Sequence, residues 1–311
     1  MNISGYIILL IVSTILLGLG SSTYPQVFAY ARESASRSMK QDATFAISAL
    51  RSFFSLAWVI GPLVGAGTLG LVGYDGLFTL TASLFVVSFL FIVFKISKNQ
   101  AKVQEPHERQ PISLLTTLKR WDVLASSIAF ILANSASQMN GLYMPLLLTK
   151  VIHAPEHMVG FVVSSSAALE IPIIIGLGAV AERLGKRLFL LMGCLSGAIY
   201  YAGISFANQA WEVLVLQIFC AIFISMLVSV GMSYFQEFLP DAPGTATTLF
   251  SNTGNIGSLL GSIVGGFIAE LFNFRAVFIV CSIFALISFA FLLRKKSASK
   301  PIPITDTQVG V

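Results

Sequence analysis

Apolar residues run along this chain in long blocks, with polar residues gathered in short gaps between them. A block of about 20 apolar residues matches the roughly 30 Å hydrocarbon core of a bilayer. Nine such blocks predict helices over residues 5–29, 43–70, 75–95, 121–149, 157–180, 187–206, 211–236, 244–270 and 274–293. One gap is different: 98–120 (KNQAKVQEPHERQPISLLTTLKR) holds two prolines and a dense run of charge, so it reads as a solvated linker. It divides the blocks three and six. The expected organisation is a partial N-terminal bundle over 1–97, a linker over 98–120, a six-helix bundle over 121–296 and a polar tail over 297–311.

Composition excludes a soluble fold. Hydrophobic residues make up 56% and charged residues 11%, with a mean hydropathy of +0.84, whereas soluble domains carry about a quarter charged residues. The fold class is therefore an all-α polytopic membrane protein. The net charge of +5 matters through its placement. With the linker in the cytoplasm, Arg32, Arg37, Lys40, Lys95, Lys98, Lys102, Arg109, Lys119, Arg120, Arg183, Lys186, Arg187, Arg294, Lys295, Lys296 and Lys300 share that side, against Lys150 and Arg275 outside. The positive-inside rule then puts the C-terminus in the cytoplasm of a multi-pass protein of the cell's inner membrane. Its partners are a lipid bilayer and a small molecule, not a nucleic acid, and the sequence does not fix an oligomeric state. Cys194, Cys220 and Cys281 stand singly in apolar blocks and read as small buried hydrophobes. The first block lacks a basic leader and contains Pro25 and Gln26, so it reads as a retained helix rather than a signal peptide.

The two sides of the linker echo each other. Residues 43–67 (ATFAISALRSFFSLAWVIGPLVGAG) and 246–270 (ATTLFSNTGNIGSLLGSIVGGFIAE) share an Ala-Thr start, a Ser five positions in and a late glycine-rich face. Tyr24-Pro25-Gln26 matches Tyr234-Phe235-Gln236 in the same order. Helices one to three thus pair with seven to nine, which implies a parent of twelve helices, of which nine are present. Repeats joined in this way build many secondary transporters, with the substrate site at their interface near mid-membrane.

Candidate chemistry comes from polar groups inside the blocks, where a buried charge costs several kcal/mol and needs a partner or a water-filled path. Arg51 lies about 12 Å into its helix and Glu170 about 20 Å into a helix entered from the other side, at 1.5 Å per residue. Their depths nearly coincide, so they are expected to pair or share a polar cavity, with Glu170 taking up a proton. The alternative is a structural ion pair. Asn134, Gln138 and Asn140 lie within two turns, followed by Tyr143; amides that donate and accept suit a hydroxyl-rich substrate, with interhelical glue as the competing role. Gln26 and Gln236 suit a gate or cavity wall near the inside, and Gln217, Asn252 and Asn255 are further polar residues within the blocks. Gly61-Pro62 with Gly65 suggests a kink at a helix contact. Glu182, Arg183, Gly185, Lys186 and Arg187 form a tight inside loop whose charges can bridge helices. His153, Glu156 and His157 surround Pro155 and make a poor metal site, and no GxSxG, HExxH or phosphate-cradling loop is present. No catalytic residue, metal or cofactor is expected.

At these residues the chain resembles the major facilitator superfamily. Gly178-Ala179-Val180-Ala181-Glu182-Arg183-Leu184-Gly185-Lys186-Arg187 is similar to its cytoplasmic signature loop, with Glu for the usual Asp, and Ala57 to Ala66 (AWVIGPLVGA) resembles its antiporter motif, with alanine replacing two glycines. More narrowly, the chain is similar to bacterial sugar efflux transporters. The residues that carry this are Pro25-Gln26, Phe28-Ala29, Ala31-Arg32-Glu33, Arg51 before Leu56 to Pro62, Ala168-Leu169-Glu170-Ile171-Pro172, Gly203, Gly231-Met232, Tyr234-Phe235-Gln236 and Ala246 to Leu249. The resemblance implies two six-helix bundles, alternating access and proton-driven export of sugars or sugar-like compounds; the family's first three helices have no counterpart. Two alternatives stay open: a multidrug exporter of the same superfamily, and a truncated, non-transporting membrane protein.

Overall fold

The computed structural model describes residues 12, 14, 43–95, 120–239 and 243–293, without the side chains at 43–55, 58, 95, 175–184 and 243–244. Among the described residues the elements are α1 (Ala43–Lys95), α2 (Trp121–Leu146) with a π-helical turn (Leu147–Val151), α3 (Glu156–Leu184), α4 (Lys186–Phe206), α5 (Ala210–Gln236), α6 (Pro243–Leu271) and α7 (Phe274–Leu293). Two compact units meet in the chain between Ile60 and Gly61, and all packing described below lies within the second.

Six segments among the described residues are long and apolar enough to cross a membrane: Val59–Phe94, Glu156–Ile174, Lys186–Phe206, Ala210–Gln236, Thr245–Leu271 and Phe274–Leu293. The helix expected over 5–29 and most of the linker lie outside the described residues. α1 contains the two helices expected over 43–70 and 75–95, which meet at the non-helical Gly73, φ 68°. Glycine adopts that left-handed region at no steric cost. Leu77 Cδ1 comes within 4.0 Å of where a Cβ on Gly65 would lie, whereas twelve residues of straight helix span about 18 Å. The two arms therefore double back at Gly73. Pro62, where a kink is expected, lies inside α1 and keeps helical backbone angles. The expected close contact does occur, through a different glycine: Gly160 of α3, where a Cβ would fall 2.6 Å from the Pro62 carbonyl oxygen.

α2 is not among the six apolar spans, although its 26 residues reach about 39 Å. Asn134, Ser135, Gln138 and Asn140 dilute its apolar character, and its position explains how it carries them. It packs along α6 and α7, while α4 packs on α7 and α5, and α3 on α5. Val123, Ala129, Phe130, Ala133, Ala136 and Met139 of α2 are fully buried. The rings of Phe130, Phe235 and Phe250 meet at centroid distances of 5.1 to 5.8 Å. Leu259, Ile263 and Phe267 on α6 face outward, as suits a surface solvated by lipid.

Serines join the helices, because in lipid every polar group needs an internal partner. Ser196 Oγ donates to Phe219 O (2.9 Å), Ser282 Oγ to Ala198 O (3.0 Å) and Ser288 Oγ to Ala129 O (2.8 Å). Ser164 is the exception: its Oγ is the one buried side-chain polar atom without a hydrogen-bond partner among the described residues. An unsatisfied buried hydroxyl costs about 1–3 kcal/mol. Ser164→Ala is expected to raise the thermal midpoint in detergent, and a lowered midpoint would show that the hydroxyl has a partner.

Candidate functional site

The polar residues of α2 leave the helix in two directions. Asn134 and Gln138, four apart, face α6. Gln138 Nε2 donates to Ser262 Oγ at 3.4 Å, and Asn134 Nδ2 turns back to Phe130 O at 2.8 Å. Gly257, Gly261 and Gly265 of α6 bring this wall close: a Cβ on them would fall 2.6 Å from Asn134 Cβ, 2.5 Å from Ser135 O and 2.6 Å from Tyr143 Cε2. Ser135 Oγ seals the contact by donating to Gly257 O at 3.0 Å. Tyr143 packs on this glycine face and, at 6.2 Å between centroids, on Phe274.

Asn140 lies on the other side of α2. Its Oδ1 accepts from the Tyr200 phenol at 3.0 Å, and that phenol accepts from Gln217 Nε2 at 3.2 Å. At 100° per residue, Asn140 points roughly 200° away from Gln138, so the face that Asn134 and Gln138 share does not include it.

Glu170 sits half-buried on α3. Its Oε1 accepts from Ser166 Oγ at 3.4 Å, and its backbone carbonyl accepts from Ser225 Oγ of α5 at 3.5 Å. Among the described residues it has no cationic partner; the ion pairs there are Arg120–Asp122 at 2.8 Å and Lys186–Glu237 at 3.2 Å. The Arg51 side chain lies outside the description, so its expected meeting with Glu170 does too. Separately from the Glu170–Ser166 pair, the hydrogen bonds above join Gln217, Tyr200 and Asn140 across three helices of the bundle. Sequence reasoning did not single out Tyr200 or Ser166. The available signal was a tyrosine whose hydroxyl must be satisfied inside an apolar helix.

At one end of the bundle, Gly185 at φ 90° makes the turn between α3 and α4. Lys186 Nζ pairs with Glu237 and donates to Ser233 O at 3.3 Å. Arg187 donates through Nε to Leu292 O at 2.7 Å and through Nη2 to Leu293 O; cations at helix C-termini are favoured by the exposed carbonyls and the helix dipole. Arg120 Nη1 donates to Phe238 O at 3.2 Å. Gln236 Nε2 donates to Thr247 Oγ1 at 3.3 Å, joining α5 to α6. The side chains of Glu182 and Arg183, and the whole of Gln26, lie outside the description. At the opposite end, Arg275 donates to Ser205 O and Asn208 Oδ1 at 2.9 and 3.0 Å.

The sequence model of the Major Facilitator Superfamily matches residues 1–136 and 126–309, nearly the whole chain. The chain belongs to the major facilitator superfamily. Within it, the chain is 33% identical over 285 residues to sugar efflux transporter A of Dickeya chrysanthemi, covering 88% of this chain and 69% of that protein. It is 31% identical over 286 residues to sugar efflux transporter A of Escherichia coli K12, covering 91% and 71%. The multidrug efflux pump LfrA of Mycolicibacterium smegmatis is 31% identical over a shorter stretch of 110 residues, 35% of this chain. This facilitator is accordingly a multi-pass membrane efflux transporter of the sugar efflux group, and not an enzyme.

Proposed function

We propose that the chain exports sugars or sugar-like compounds in exchange for protons, by alternating access. The observation that carries this reading is the half-buried Glu170 carboxyl inside a membrane span, held by Ser166 and without a cationic partner among the described residues, in a chain resembling proteins named sugar efflux transporters. A half-buried carboxyl in a membrane span is a natural proton carrier. Its helix packs on α5, whose Gln217 reaches the Asn140 amide through Tyr200, so proton and substrate groups belong to one packed bundle. Asn134, Gln138 and Tyr143, with Asn140 opposite, supply the amide and aromatic contacts that sugars use; Arg51 stays a proposed partner or gate for Glu170. Gln26 and Gln236 are proposed as cavity-wall residues. Glu182, Arg183 and Arg187 are proposed as a latch at the end where Arg120, Lys186 and Arg187 gather, which is read as the cytoplasmic end. No cofactor is needed beyond the proton gradient.

Uptake of radiolabelled sugar into inverted vesicles tests this. Gradient-dependent uptake, competed by unlabelled saccharides, is the expected result. Failure of every saccharide to compete, with gradient-dependent uptake of a lipophilic cationic drug, would favour the multidrug reading that similarity to LfrA suggests.

A further inference from the structure

We infer that Tyr200 is a positioning residue that fixes the orientation of the Asn140 amide, making Asn140 a pure hydrogen-bond donor toward the sugar. This rests on the proposed reading of Asn140 as a substrate contact. A free asparagine amide can turn either edge toward a ligand, offering an acceptor oxygen or a donor NH2. Here the choice is made by neighbours. Gln217 is 1% exposed and is anchored by its own donation to Val213 O at 3.2 Å. Its Nε2 also donates to the Tyr200 oxygen at 3.2 Å. The phenol, fully buried, accepts that bond and has a single proton left to give. It gives it to Asn140 Oδ1 at 3.0 Å.

Flipping the Asn140 amide would set its NH2 against the phenol proton, two donors facing each other, so the carbonyl stays committed. The NH2 faces elsewhere. Among the described residues Asn140 Nδ2 makes no hydrogen bond, and it is not enclosed, because the single buried unpartnered polar atom is Ser164 Oγ. The group that meets Asn140 must therefore accept a hydrogen bond. A sugar hydroxyl, ring oxygen or glycosidic oxygen does so, whereas an ammonium at that position has donors alone. The device sets specificity: neutral sugars enter, and amino sugars with the ammonium at the Asn140-facing carbon are rejected.

The test is equilibrium binding to the purified full chain in detergent, at pH 6.5, where the amine carries its proton. Probes are glucose, galactose, arabinose and maltose, and for whichever binds, its set of monoamino-monodeoxy derivatives. The wild type should reject at least one derivative by about tenfold relative to the parent sugar, the scale of one mismatched hydrogen bond. Tyr200→Phe, which keeps the ring and deletes the proton donor, should free the amide to flip. Parent-sugar affinity should fall while that derivative gains relative to the parent, an exchange that a loss of stability alone would not produce. A wild type that binds a parent and all its amino derivatives equally would overturn the inference, even if Tyr200→Phe failed to fold. So would an unchanged ratio in a folded Tyr200→Phe protein, and in both cases the sugar-export reading would stand. Binding of none of the saccharides would overturn that reading and this one together.

Discussion

Gly261→Ala is expected to lower the thermal midpoint of the protein in detergent by roughly 2–8 °C and to reduce transport at least tenfold. Helix propensity alone argues the reverse, since alanine is favoured over glycine by about 1 kcal/mol within a helix. Space decides otherwise. A Cβ on Gly261 would fall 2.5 Å from Ser135 O and 3.0 Å from Ser135 Cα, and these are backbone atoms of a helix that cannot rotate aside. Overpacking of this kind costs about 1–3 kcal/mol, and about 1 kcal/mol moves the midpoint of a chain of this size by roughly 2–4 °C. Relief comes from moving α2 off α6, which displaces Asn134 and Gln138 together with the Ser135 to Gly257 bond. Gly254 is the internal control. Nothing lies within 4 Å of its Cβ position, so Gly254→Ala should leave the midpoint unchanged or higher. Equal effects of the two substitutions, followed by thermal unfolding and vesicle uptake, would contradict the close contact of α2 with α6.

Glu170→Gln should abolish gradient-driven sugar accumulation while leaving sugar-for-sugar exchange across the vesicle within about threefold of the wild type. Glutamine keeps the size of the side chain and accepts the Ser166 hydroxyl, so the bundle and the Ser166 bond persist. What it removes is the proton site. A loss of exchange in step with a loss of accumulation would mean that Glu170 holds the structure or the substrate rather than carrying the proton. Accumulation that continued with unaltered pH dependence would remove Glu170 as the coupling residue.

Much of this arrangement is legible in the sequence because membrane physics leaves few options. Apolar blocks of bilayer length must be helices, and basic residues sort to one side. The glycine-rich face at residues 257–265 and the polar run on α2 are each visible as spacing. The partners of these features are not. That α6 packs on α2, so that Gly261 faces Ser135, 126 positions earlier in the sequence, follows from tertiary packing that no local pattern encodes. Asn134, Gln138 and Asn140 look like one cluster when read as neighbours, yet the helical period sends Asn140 to the opposite face. Tyr200 was hidden for a related reason: an aromatic in an apolar helix reads as core, and its hydroxyl gains meaning once Asn140 and Gln217 are found on either side of it. At Gly73 the chain reverses in the gap read between the apolar blocks 43–70 and 75–95, while the proline at 62, the stronger breaker in sequence terms, stays helical.

The central claim is that sugar leaves in exchange for protons through one coupled site, and the most direct measurement is proton movement caused by sugar alone. Purified full-length chain is reconstituted into proteoliposomes containing a pH-sensitive dye, with no imposed gradient, and a saccharide that binds is added outside. The account predicts sugar-dependent alkalinisation of the lumen as sugar enters and protons leave, abolished by Glu170→Gln. Sugar entry with no accompanying proton movement in the wild type would contradict it.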